Sequence, residues 1–352
     1  MNAETLQLAV MMGEILEGAD LRAAHLAGAR AGGGVFTHCD LSRADLRDAD
    51  LRECIFDNCD LRGAMLAGAN LRRAVFENCR LDHSDLRQAN LNGATFSQSD
   101  LAHAQMAGVC LAMATVSRCV MDHASLFEAQ LEAATFSESS LIDVNADRSN
   151  WLHTSALQCD LRQLTWAQSR MTRVLFHKTD LRQRCFDGLQ LEGCQFSGTN
   201  LTGSSFAEAA IRQCNFQGAV LDGVDFERAQ GANAVFCDAH GERVRFKEAR
   251  MPQALFIGAQ LAQSVFAGAQ LEQAQFAGAS LVRADFSSAN LSHADFSHAN
   301  LQAADLSKAD LQRANLHGAM TDDALMTDRA RALASDPVRA RAENWRAQPV
   351  QA

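Results

Sequence analysis

Residues 36–61 read FTHCDLSRADLRDADLRECIFDNCDL, and in this stretch Phe36, Leu41, Leu46, Leu51, Phe56 and Leu61 recur at every fifth residue. Two places before each stands a small side chain: Cys39, Ala44, Ala49, Cys54 and Cys59. The phase holds outward in both directions. From Leu16 to Leu316 every position ending in 1 or 6 carries Leu, Phe, Ile, Met, Val or Trp, except Ala31, Ala146, Ala156, Gly231 and Gly241. A period of five matches neither the ~3.6 residues of a helix nor the ~2 of a strand, so a chain with two inward positions in five turns a corner in each repeat.

A second period sets the number of corners. Of the 19 Phe, only Phe127 lies away from a position ending in 6, and in the first half Phe36, Phe56, Phe76, Phe96, Phe136 and Phe176 are spaced by 20 or its multiples. Four repeats therefore close one coil. Coils stacked at the ~4.8 Å spacing of neighbouring strands predict a rod of about 15 coils and about 70 Å. The repeat unit, as in Ala44-Asp45-Leu46-Arg47-Asp48, Ala289-Asn290-Leu291 and Ala294-Asp295-Phe296, resembles the A(D/N)LXX motif of the pentapeptide-repeat family. The resemblance covers most of the chain and implies that family's fold, an all-β, right-handed quadrilateral parallel β-helix with short helical caps.

An open solenoid needs its ends covered. Residues 1–15 read as an N-terminal capping helix, with Leu6, Val10, Met11 and Ile15 on its apolar side. Residues 16–320 form the solenoid, and 321–352 a helical cap or tail. There Thr321 with Asp322 and Asp323 predicts a helix start, Pro337 its end, and Arg339, Arg341 and Trp345 lie beyond.

The chemistry of catalysis is sparse in this sequence. There is no nucleophile motif, no phosphate-binding glycine loop and no Cys-x-x-Cys pair, and eight of the 11 Cys fall at small inward positions, where they read as buried packing residues. His83, His103 and His123 are one coil apart and predict a stacked column, a weak metal candidate because a line of rings is not a tetrahedral pocket. No cofactor and no enzymatic activity are expected. The absence of a secretory signal pattern or a long apolar run places the chain as a soluble cytoplasmic protein, off the membrane.

The least regular stretch, residues 145–189, suggests a partner site. Phe127, Ile142, Trp151, Leu152 and Leu157, flanked by Arg162 and Arg182, read as an apolar cluster with basic neighbours on a polar wall, or else as a local kink, and Gly231 with Gly241 as a bulge. Residues 101–160 carry 7 acids and 2 bases, and residues 161–250 carry 10 acids and 12 bases, an asymmetry suited to steering a partner. The expected role is a protein-interaction scaffold with another protein as partner and no direct contact with nucleic acid. A homodimer through a solenoid end is a further option. The family resemblance implies two finer forms: an adaptor of type VI secretion, or alternatively a DNA mimic that binds DNA gyrase. The net charge of −10 suits the mimic, but the 32 basic residues dilute it.

Overall fold

The computed structural model describes residues 1–343 of the 352. They form a parallel β-solenoid that divides into two compact units: Met1–Leu181 with Leu189–Gln195, and Arg182–Gly188 with the chain from Phe196 onward.

In the first unit the helix α1 (Ala3–Met11) is capped by Asn2, whose side-chain oxygen accepts from the Thr5 N–H at 2.9 Å, and it buries Leu6 and Ala9. It is shorter than the expected helix over 1–15. Gly13, at φ +74°, ends it, and Ile15 already belongs to the first strand. Nine short strands then form one parallel sheet in chain order: β1 (Ile15–Glu17), β2 (Val35–Thr37), β3 (Ile55–Asp57), β4 (Val75–Glu77), β5 (Thr95–Ser97), β6 (Thr115–Ser117), β7 (Thr135–Ser137), β8 (Ser155–Leu157) and β9 (Leu175–His177). Phe36 registers with Phe56, Phe56 with Phe76 and Phe76 with Phe96, so each coil is 20 residues, as the Phe spacing predicts. Their buried rings stack at 4.9, 4.9 and 4.7 Å. The other walls pair through single bridges in the same register, for example Asp40 to Asp60 and Asp45 to Met65.

The corners explain the remaining repeat positions. At residues ending in 3 or 8 the backbone enters the left-handed region, with φ from +49° to +60° at non-glycine residues such as His83, Glu128 and Gln263. That conformation costs roughly 1–2 kcal/mol for an L-residue. Two hydrogen bonds offset it. The small residue that follows donates back across the corner, as Ala64 N to Leu61 O at 3.0 Å, and the left-handed residue donates to the next coil, as His83 N to Ala102 O at 3.0 Å. Where Asp or Asn precedes the large residue, its side chain accepts from the corner N–H two places on, as Asp100 does from Ala102 at 2.9 Å.

The second unit carries two aromatic columns. Phe186 to Phe286 and Phe196 to Phe296 each step by 20 residues, stack at 4.5–5.0 Å within a column, and meet edge-on across the core, as Phe226 does Phe236 at 5.4 Å and 86°. Ten residues are half a coil, so these columns line opposite walls. Gly231 and Gly241 interrupt the large positions without a bulge, because Gly231 N still bonds to Arg250 O and Gly241 N to Gln260 O.

The chain does not turn helical at 321–334. Leu325–Met326 (β11) pairs with Asp305–Leu306 (β10), Arg329–Arg331 makes one 3-10 turn, and Leu333 bridges to Asn315. The last coil offers a row of unpaired backbone groups, and satisfying them outweighs the marginal local preference of a short helix. Pro337 opens α2 (Pro337–Glu343) rather than closing a helix. Its missing N–H is no loss at the first helical position, and the Asp336 carboxylate accepts from Val338 N at 2.8 Å. Trp345 lies outside the described residues.

Candidate interaction surface

Sequence reasoning placed Phe127, Ile142, Leu152 and Leu157 together; the coil separates them. All four are half-buried, Phe127, Ile142 and Leu152 in corner turns and Leu157 at the end of β8, and in a 20-residue coil they fall at four different places around the coil. Residues 10 apart face opposite ways, so Ile142 and Leu152 cannot share a patch. Trp151 is not on the surface at all: it is fully buried, lies 6.0 Å from Phe136, and donates its indole N–H to Ser149 Oγ at 2.6 Å. Trp151, Ala146 and Ala156 are all buried, so these departures from the repeat lie in the core and not on the wall. Phe127 lies beneath the Arg148 guanidinium, 5.5 Å from the ring centre. Arg162 is held by Asp160 at 2.7 Å, and Arg182 is exposed in the second unit.

Arg162 belongs to a recurrent arrangement. In Asp20–Arg22, Asp45–Arg47, Asp50–Arg52, Asp60–Arg62, Asp85–Arg87 and Asp160–Arg162 the two side chains project from one wall, two residues apart, and the guanidinium grips the carboxylate at 2.5–2.7 Å. The Arg22 hydrogen bond lowers the Asp20 carboxyl to about 2, and the other five carboxyls are shifted down by their arginines. Each such pair is locally neutral.

One wall differs. On the outer face of the nine-stranded sheet, Ile15, Val35, Ile55, Val75, Thr95, Thr115 and Thr135 form an unbroken β-branched column, each residue registered on the next. Ile15 is 65% and Ile55 42% exposed, and Met11 and Met12, just before β1, are exposed too. Glu17, Asp57 and Glu77 border this stripe on one side; Arg52, Arg72 and Arg73, with Glu53, lie at the corner on the other. The stripe was legible as a 20-residue period at positions ending in 5, the outward phase of the same repeat.

The eight cysteines at small positions are buried and unbridged. Burial pushes the Cys54 thiol up to about 12 and Cys119 up to about 11, so neither supplies a thiolate at neutral pH. His83, His103 and His123 do stack, at 4.7 and 4.8 Å with rings 2° and 10° from parallel. Parallel exposed rings one coil apart do not converge on a point. A different group does. His298 Nε2, His317 Nε2 and Glu343 Oε2 lie within 4.8 Å of one another. Sequence reasoning missed this group because Glu343 reaches it from α2. The Glu343 carboxyl is lowered to about 2, chiefly by its hydrogen bond with His317. No helix among the described residues is long and apolar enough to cross a membrane.

A stack of parallel coils with a filled core, alternating large and small inward residues and variable walls defines the solenoid repeat proteins. Within that class, the pentapeptide repeat region model matches residues 34–106 and 249–326, and the pentapeptide repeats model, of 8 copies, matches 15–52 and 190–228. The chain belongs to the pentapeptide-repeat family. No curated protein matches it. Among solved structures it is similar to HetL, a pentapeptide repeat protein involved in heterocyst differentiation regulation from the cyanobacterium Nostoc sp. strain PCC 7120, at 22% identity over 96% of this chain and 98% of that one, with a TM-score of 0.16. It is also similar to QnrB1, a plasmid-mediated fluoroquinolone resistance protein, at 16% identity over 76% and 92%, with a TM-score of 0.20. Rfr23, a pentapeptide repeat protein from the cyanobacterium Cyanothece 51142, matches at 18% identity over 39% and 97%, with a TM-score of 0.21.

Proposed function

We propose that this protein is a non-catalytic interaction scaffold that binds another protein through the outer face of the nine-stranded sheet. The observation that carries the reading is the outward-facing column Ile15, Val35, Ile55 and Val75, in which Ile15 and Ile55 are exposed and the two valines half-buried. An apolar stripe of this kind on a flat sheet is a characteristic place for sheet-face contact. The acidic edge at Glu17, Asp57 and Glu77 and the mainly basic corner opposite would fix the partner's orientation. The side wall is favoured over a homodimer through the first coil, since α1 already buries Leu6 and Ala9 there.

An adaptor role in type VI secretion is the finer form of this proposal. It rests on the family resemblance and on no residue of this chain. The alternative, a DNA mimic of gyrase, is favoured by the net charge of −10. It is opposed by the Asp–Arg pairs, since a mimic needs uncompensated negative charge along a wall.

The test is an affinity capture from bacterial lysate with the intact chain and with Ile55→Lys/Val75→Lys, the captured proteins being identified by mass spectrometry, beside a gyrase supercoiling assay. A secretion component lost with the double variant supports the scaffold and its wall. A partner retained equally by the variant rejects the wall. Inhibition of supercoiling by both proteins establishes the mimic instead.

A further inference from the structure

The end of the second unit brings three metal-competent side chains together from separate parts of the chain. His298 and His317 sit at the same corner of successive coils, and Glu343 lies at the end of α2. Glu343 Oε2 is 3.0 Å from His317 Nε2 and 3.4 Å from His298 Nε2, and the two imidazoles are nearly perpendicular, 5.3 Å apart at 89°. Zinc bonds of about 2.0–2.1 Å at tetrahedral angles place neighbouring ligand atoms about 3.3 Å apart. Both carboxylate–imidazole separations are close to that edge, and a small rotation of the exposed His298 ring brings the third into range.

We propose that His298 Nε2, His317 Nε2 and Glu343 Oε2 form a three-ligand site for a divalent transition metal, zinc in particular, with the fourth position open to solvent. Two imidazoles and a carboxylate suit a borderline cation better than calcium or magnesium, which take oxygen ligands. Two neighbours hold the ligands in place. His317 is 2% exposed, and its Nδ1 accepts from Asp336 N at 3.0 Å and lies 3.2 Å from Ser335 Oγ. Residue 318 is glycine, and a Cβ there would fall 2.5 Å from His298 Nδ1, so a larger residue would displace that ring.

The proton balance is specific. Without metal, His317 carries its proton on Nε2 and donates it to Glu343, because Nδ1 is already an acceptor. A metal would take the Nε2 lone pair, so the proton would move to Nδ1 and be donated to Ser335 Oγ, at the loss of the hydrogen bond from Asp336 N. His317 changes tautomer but not charge. Bound metal thereby fastens α2 to the last coils, replacing the carboxylate–imidazole hydrogen bond with coordination.

The site is tested by titrating zinc chloride calorimetrically into the EDTA-treated, dialysed full chain, with His298→Ala, Glu343→Gln and His83→Ala in parallel and circular dichroism as a check on folding. The expected result is one zinc per chain, weakened in the first two variants by at least the roughly 10–100-fold that loss of an outer-shell partner costs, and unchanged in His83→Ala. Cobalt(II) should give the strong visible absorption of a four-coordinate site in the wild type and lose it in His298→Ala. His298 is exposed, so its removal leaves the core intact and this variant stays interpretable if Glu343→Gln misfolds. No heat in the wild type, or heat that survives His298→Ala and disappears in His83→Ala, overturns the proposal.

Discussion

The facing aromatic columns predict a graded cost along the second unit. Phe236 is fully buried, stacks on Phe216 and Phe256 at 4.8 Å each, and meets Phe226 and Phe246 edge-on at 5.4 and 5.5 Å. Phe296, also fully buried, ends its column: it stacks on Phe276 at 4.8 Å and meets Phe286 edge-on at 5.8 Å, and one coil further on the large position is Leu316. Burial lost on truncation to Ala is the same at both sites, about 3–5 kcal/mol with the cavity. Each aromatic pair adds roughly 0.5–1.5 kcal/mol, so Phe236→Ala should cost about 1–3 kcal/mol more than Phe296→Ala. A repeat array need not unfold in one step, so a single melting temperature is the wrong readout. Native-state hydrogen exchange of the amides on residues 216–256 and 276–316 reports each neighbourhood separately. Equal losses at the two sites would refute the claim that ring–ring geometry, beyond burial, holds these coils.

The two glycine interruptions should behave differently. A Cβ at Gly241 would lie 2.6 Å from the Leu221 carbonyl carbon, so Gly241→Ala forces coils apart and should cost about 1–3 kcal/mol, whereas at Gly231 it meets the side chains of Ile211 and Met251 and should be near neutral; native-state hydrogen exchange of the coils around each site checks this, and a loss of protection at Gly231→Ala as large as at Gly241→Ala would refute it. The Asp–Arg pairs set an acid limit. Arg47, through its hydrogen bond, lowers the Asp45 carboxyl in the fold, so its contribution is fully present above about pH 4 and is lost as pH falls below that; Asp45→Asn should flatten the acid limb of a pH–stability curve, and an unchanged limb would count against it. Thiol labelling of the native chain should reach exposed Cys185 first and buried Cys54 and Cys119 only on unfolding, as mass spectrometry of labelled peptides would show.

Much of the architecture follows from spacing alone. Inward positions every fifth residue, with Phe every twentieth, leave the chain few alternatives to a four-sided coil, because core burial repeats identically in each turn and needs no distant partner. The buried cysteines were legible for the same reason: Cys79, Cys119 and Cys159 alternate with Ser99 and Ser139 in one column of small side chains. The left-handed corners were not legible, since His83, Glu128 and Gln263 have little in common except the backbone they adopt.

What tertiary structure decided was adjacency on the outside and at the end. Ile142 and Leu152 are close in sequence and opposite in space, while Ile15 and Val75 are far apart in sequence and share one column, because neighbours on a solenoid wall are one coil apart along the chain. Residues 321–333 extend the ladder rather than a helix, since the last coil's backbone groups need partners that local propensity takes no account of. Glu343 reaches His298 and His317 only because α2 folds back against that end. A periodic pattern specifies what repeats; where the period stops, the contacts are unique, and they are set by three-dimensional packing.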